Sequence, residues 1–145
     1  MTQLRRFGEA HEPGEYAERP GAYGLVMRQP TEVLVVQANG RTHLPGGGIE
    51  PGESTPEALH REFAEECGVR IRHASKLVSA IQYVSARGEG SFRKVCHYFL
   101  VEISGEPSSV EAHTTPLWLP MSDALITLSH ESHRYALQVA LERTT

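Results

Sequence analysis

A chain of 145 residues with 39% hydrophobic and 22% charged positions is long enough for one domain with a real core, burying roughly 70% of its unfolded surface. The net charge of -4 argues against broad binding to nucleic acid or to anionic membranes. Two cysteines, Cys67 and Cys96, do not make a disulfide framework, and both read as small buried apolar residues of a reducing compartment.

The N-terminus, "MTQLRRFGEAHEPGEY", has no apolar run of the signal-peptide kind, and no stretch approaches the ~18 apolar residues of a membrane helix. The expectation is a cytoplasmic protein. Residues 1–20 are polar, with Pro13, Gly14 and Pro20, and read as an arm with at most a short strand. Residues 21–145 form the single domain. "AYGLVM", 22–27, and "EVLVVQ", 32–37, are strands rich in Val and Leu. Asn39-Gly40 marks a hairpin turn, with residues 42–44 returning. "LPGGGIEPGEST", 44–55, is so dense in Gly and Pro that a shaped loop is expected in place of regular structure.

A helix follows, with Thr55 as its cap, Pro56 at its first position and Gly68 as its stop after Cys67. Residues 69–84 read as one or two strands, 86–91 as a turn and 94–103 as a clear strand. A loop holding Gly105 and Pro107 leads to a short apolar "LWLP". A helical turn at 122–125 and a terminal helix at 130–143 close the chain. Strands, a helix, more strands and a last helix predict an α/β fold, a mixed sheet with helices packed on it.

On the first helix, Leu59, Phe63 and Cys67 form a packing stripe. Glu62, Glu65 and Glu66 fall together in an arc of roughly 100° beside it. A solvated acidic face is one reading. Against it, like charges at i, i+4 repel by a few tenths of a kcal/mol per pair, and carboxylates near a helix C-terminus oppose its dipole. A divalent cation would relieve both, and oxygen ligands suit Mg²⁺ or Mn²⁺, which carry phosphates. The preceding Gly46, Gly47 and Gly48 allow the backbone to approach an ion or ligand closely.

The stretch "GGIEPGESTPEALHREFAEECGV" resembles the Nudix box. Gly47 opens it, Glu53 follows after five residues and Arg61-Glu62 after seven more, and Phe63, Glu65-Glu66, Gly68 and Val69 complete it. The resemblance implies a Nudix α/β/α sandwich with a mixed β-sheet. It also implies a Mg²⁺- or Mn²⁺-dependent hydrolase that cleaves the diphosphate linkage of a nucleoside diphosphate derivative. By motif position, Glu62, Glu65, Glu66 and the Gly46 carbonyl are the metal ligands. Arg61 orients the carboxylates through Glu53, and Glu65, Glu53 or Glu111 takes the proton. Glu111 comes from "GEPSSVEAHTTPLW", by similarity to mutator-type members, with Glu106 and Glu102 behind it.

The glycine run lacks the Lys of many diadenosine-polyphosphate hydrolases, and no proline stands about fifteen residues past the box, as in many ADP-ribose hydrolases. A nucleoside di- or triphosphate remains as the substrate. Removal of diphosphate from RNA 5′ ends and a catalytically silent nucleotide sensor are the alternatives. Arg28, Gly47, Gly48 and Tyr98 are the candidate substrate contacts. Tyr23, Tyr83, Phe92 and Trp118 are further candidates for stacking, Arg87, Arg93 and Lys94 for phosphate, and His43, His97 and His113 for assistance. His130 and His133 read as surface or capping residues. A homodimer, reached by the N-terminal arm, is left open.

Overall fold

A computed structural model describes residues 4–8, 16–86 and 90–143. In chain order the elements are β1 (Arg5–Phe7), β2 (Tyr16–Glu18), β3 (Gly21–Leu25), β4 (Met27–Arg28), β5 (Glu32–Ala38), β6 (Arg41–His43) and β7 (Gly46–Gly48). They continue with α1 (Thr55–Cys67), β8 (Arg70–Ala86), β9 (Gly90–Ser104), β10 (Thr114–Pro120), α2 (Met121–Thr127) and α3 (Glu131–Arg143).

One mixed sheet runs β1-β8-β9-β3-β7, with β2 also on β9; the other runs β10-β5-β4, with β6 on β5. β3 lies parallel to β9, and β7 antiparallel to β3. Alternate residues of β5 serve opposite sides, because both are covered. Val33 and Val35 join Tyr23, Tyr98, Leu137 and Ala140 beneath α3, while Leu34 and Val36 join Ala22, Leu59, Phe63 and Cys67 beneath α1. Helices on both sides of the strands make the α/β/α arrangement. Among the described residues no helix is long and apolar enough to cross a membrane.

Three local expectations are corrected. The glycine run is not a loop: Gly46–Gly48 pairs with Tyr23, Ala22 and Gly21, since a backbone ladder needs a partner strand and no side chains. The arm before residue 21 adds β1 and β2 to the large sheet. Residues 70–86 are one long strand, within the expectation of one or two. The cap of α1 is Ser54, whose Oγ accepts the Glu57 N–H at 3.2 Å while Glu57 Oε1 accepts the Ser54 N–H at 3.0 Å. This capping box places Thr55 and Pro56 inside the first turn. Ser54→Ala is expected to lower unfolding free energy by about 1 kcal/mol, as read by urea denaturation, with no change in metal affinity. At its other end α1 stops where predicted, at Gly68, whose φ of 66° is left-handed.

Candidate active site

The packing stripe of α1 decides where its glutamates point. Ala58, Leu59, Phe63 and Cys67 are buried, and the Phe63 ring fills the space over Gly24. Glu62 and Glu66 are thereby turned toward β7. A Cβ on Gly47 would stand 2.7 Å from Glu62 Oε1, so the missing side chain is the room that this carboxylate occupies. The Gly46 N–H donates to Glu66 Oε1 at 2.8 Å, and His43 Nε2 lies 3.7 Å from Glu66 Oε2.

Arg61 organises the other carboxylates. It grips Glu53 with two bonds, Nε to Oε2 at 2.8 Å and Nη2 to Oε1 at 3.0 Å. Nη2 also donates to the Gly48 carbonyl at 2.9 Å. Nη1 donates to Glu62 Oε1 at 2.9 Å and to Glu65 Oε2 at 3.4 Å. One planar guanidinium thus ties the glycine strand, the loop before α1 and two turns of α1 together.

The carboxylates divide by environment. Hydrogen bonds from Arg61 and from the Glu50 N–H hold Glu53 at a pKa of about 2, so it stays ionised and is a poor proton acceptor. Burial pushes Glu66 up to about 8, against the Gly46 N–H, with the charges of Glu62, Glu111 and Glu65 adding to the rise. Burial also raises Glu62, and Arg61 offsets only part of it. Glu111 therefore sits within the field of the box. Glu102, by contrast, lies 3.6 Å from Arg72 on the exposed edge of the β8–β9 pair.

The donor set fits a hard cation: every candidate ligand is an oxygen, and two of the carboxylates are raised by burial beside like charges. Among the described residues no three His, Cys, Asp or Glu side chains converge to metal-ligand spacing. The set suits an ion that keeps waters, as Mg²⁺ does, more than a closed cage.

Other candidates separate from the box. Tyr98 is fully buried, with its hydroxyl donating to Ser132 Oγ at 2.8 Å, so it cannot stack on a substrate. The β9 alternation puts Cys96 and Tyr98 under α3 and leaves His97 and Phe99 on the opposite face. Tyr23 is buried too, its ring against Tyr98 and His133. Arg28 is bound to Glu32 at 2.7 Å and lies over Trp118, on the second sheet. Tyr83 packs edge-on against Tyr16, Phe92 lies under Arg19, and Arg93 pairs with Glu18. His97 bonds with Lys76 and Ser79, and His113 is exposed at a turn with φ 62°. Arg87 lies outside the described residues.

His133 corrects the surface reading. It is 1% exposed, and its Nδ1 accepts the Leu44 N–H at 3.2 Å. It shares a cavity beside Gly46 with His43, His130, Lys94 and Arg41. Arg41 was not singled out from sequence, and nothing in its hairpin context marks it. The signal for His133 was present: with Ala136, Leu137 and Ala140 it falls on one helical stripe.

Comparison with known proteins agrees with this geometry. A Bacillus subtilis (strain 168) protein named "Putative 8-oxo-dGTP diphosphatase" is 36% identical over 59 residues, 39% of this chain and 40% of that protein. An RNA pyrophosphohydrolase of Shewanella frigidimarina is 28% identical over 81 residues, 49% of this chain and 47% of that one. The chain thus spans less than half the length of these curated relatives. A MutT NUDIX hydrolase from Burkholderia pseudomallei superposes with a TM-score of 0.72 at 26% identity, over 84% of this chain and 97% of that one. The NUDIX domain model matches residues 17–139, and the chain belongs to the NUDIX family.

Proposed function

We propose that this protein hydrolyses the diphosphate linkage of nucleoside diphosphate derivatives, nucleoside di- and triphosphates foremost, with Mg²⁺ or Mn²⁺. The observation that carries the reading is the half-buried Glu66 beside Glu62, carboxylates that the protein's own cations leave incompletely neutralised, on a glycine strand shaped around them. Family membership and the printed activities of the relatives support the same reaction class.

Glu62, Glu65, Glu66 and the Gly46 carbonyl would hold the cation, which supplies charge neutralisation at the phosphate oxygens and acidifies water. The remaining steps belong to the chain. Arg61 fixes the rotamers of Glu53 and Glu62, so the site is ordered before substrate arrives. The Gly46 N–H sets the direction of Glu66. Gly47 and Gly48, with no side chains, admit the phosphates to the backbone. Water attacks phosphorus, the P–O anhydride bond breaks, and the proton passes to Glu65 or Glu111, the carboxylates that face solvent. Glu53 is reassigned from proton acceptor to positioning residue, because both its oxygens are engaged by Arg61.

The test is a panel of nucleoside triphosphates, oxidised nucleoside triphosphates, nucleoside diphosphate sugars and 5′-phosphorylated RNA, assayed for phosphate, diphosphate and nucleotide release. Metal-dependent release from a nucleotide is expected; no release from any member would contradict the proposal. The RNA arm is expected to be the weaker, given the net charge of -4.

The raised Glu66 gives a pH prediction. Its folded pKa of about 8 lies above the unfolded value, so the metal-free fold loses stability as pH rises toward 8. His130 is lowered to about 4, and His133, His43 and His97 are lowered as well, so their opposite contribution builds through the unfolded histidine pKa of about 6.5 and is nearly complete by about pH 7.5. Between about pH 7.5 and 8.5 the Tm of the metal-free protein is expected to fall. Saturating Mg²⁺, which needs the ionised carboxylate, is expected to reverse that slope and to release protons measurable by calorimetry in two buffers. A Tm that rises over this window without metal would contradict it.

A further inference from the structure

The cavity beside Gly46 is small, about 170 Å³, against roughly 300–1,000 Å³ for sites that hold a whole drug-sized ligand. It therefore suits a compact group. Its polar lining consists largely of donors. Arg41 and Lys94 both face it, and neither has a carboxylate partner among the described residues. His133 takes the Leu44 N–H on Nδ1, so its neutral ring carries the proton on Nε2 and offers it as a donor. His43 uses Nδ1 to donate to the Leu44 carbonyl at 2.7 Å, which leaves Nε2 turned toward Glu66. The ring of His43 thus stands between the acidic box and the cationic end of the cavity. Tyr23 in its wall is 6% exposed and already packed on Tyr98 and His133, so this ring is not free to stack on a base.

We infer that this cavity is an anion subsite contiguous with the box, and that the diphosphate compounds the protein cleaves best carry a second anionic group on their organic half, a phosphate or a carboxylate. The field at His130 agrees: Lys94, Arg41 and Arg134 all help burial to hold that ring neutral, so positive charge accumulates there without an acid to balance it. An anion would restore the balance and accept from Arg41, Lys94 and His133 together. The inference rests on the hydrolase reading above and narrows it to a substrate class.

Two matched pairs test it with Mg²⁺ present: UDP-glucuronate against UDP-glucose for a carboxylate, and 2′-phospho-ADP-ribose against ADP-ribose for a phosphate. In at least one pair the anionic member is expected to have at least a tenfold higher kcat/KM. Arg41→Gln and Lys94→Gln are each expected to cut that ratio at least fivefold. The pair that responds identifies the anion. Equal kcat/KM within both pairs, or a preference that survives both substitutions, would overturn the inference. If no member of either pair is turned over, inorganic phosphate decides the subsite separately from the hydrolase reading. A shift of the His133 ring resonances on titration, lost in Lys94→Gln, would support it, and no shift in the unaltered protein would overturn it.

Discussion

Glu66→Gln is expected to lower kcat by at least ~10²-fold, the size associated with losing one preorganised electrostatic contact to a transition state. The fold is expected to persist. Burial and the neighbouring carboxylates hold Glu66 at about 8, so at neutral pH the metal-free side chain is already uncharged, and Gln matches it in shape and charge. The Gly46 N–H still finds an oxygen to bond at the same distance. Tm without metal should therefore match that of the unaltered protein at pH 7, and its decline between about pH 7.5 and 8.5 should flatten. Added Mg²⁺ should raise Tm less than it does in the unaltered protein. Activity lost together with stability would instead point to a structural role for Glu66.

Gly46→Ala is expected to act the other way round, on stability first. The Cβ it introduces would stand 2.2 Å from the Ala22 carbonyl oxygen and 2.6 Å from the Tyr23 Cα, both backbone atoms that cannot step aside. The backbone φ of 143° adds strain for any residue with a side chain. Overpacking and backbone strain together should remove about 2–5 kcal/mol, a drop in Tm on the order of 10 °C. The neighbouring glycines separate the causes. At Gly47 the nearest atoms to the added Cβ are those of the Glu62 carboxylate, from 2.7 Å, and a side-chain end can swing away. Gly47→Ala should leave Tm within about 1 kcal/mol of stability and reduce activity by displacing Glu62. At Gly48 the nearest atom to the new Cβ is the Pro20 carbonyl oxygen at 3.9 Å, so Gly48→Ala should be the mildest for stability. Equal Tm losses at all three positions would contradict this reading of β7.

Much of the site was legible because its chemistry is written in spacing. A helical period carries Leu59, Phe63 and Cys67 inward and leaves Glu62 and Glu66 beside them, and the structure turns those two to β7 as the arc required. The pairing of Arg61 with Glu53 crosses eight residues and a loop, yet the resemblance placed it correctly. What was not legible depends on partners distant in sequence. Gly46–Gly48 has no side chains to show alternation, and its strand character comes from the β3 backbone. Tyr98 looked available because both sides of β9 are covered, so apolar and aromatic residues run on without the alternation that marks an exposed face. Arg41 and Lys94 stand more than fifty residues apart in sequence and meet only where β6 and β9 open on the same cavity.

The most direct measurement is the anomalous signal of Mn²⁺ in crystals soaked with the ion and a non-hydrolysable nucleotide. Density is expected between the Glu62 and Glu66 carboxylates and the Gly46 carbonyl, at ligand distances of about 2.0–2.3 Å, with the nucleotide phosphates touching it. Manganese bound elsewhere, with the Glu62 and Glu66 side chains still unligated beside a bound nucleotide, would contradict a cation-gripping role for this helix.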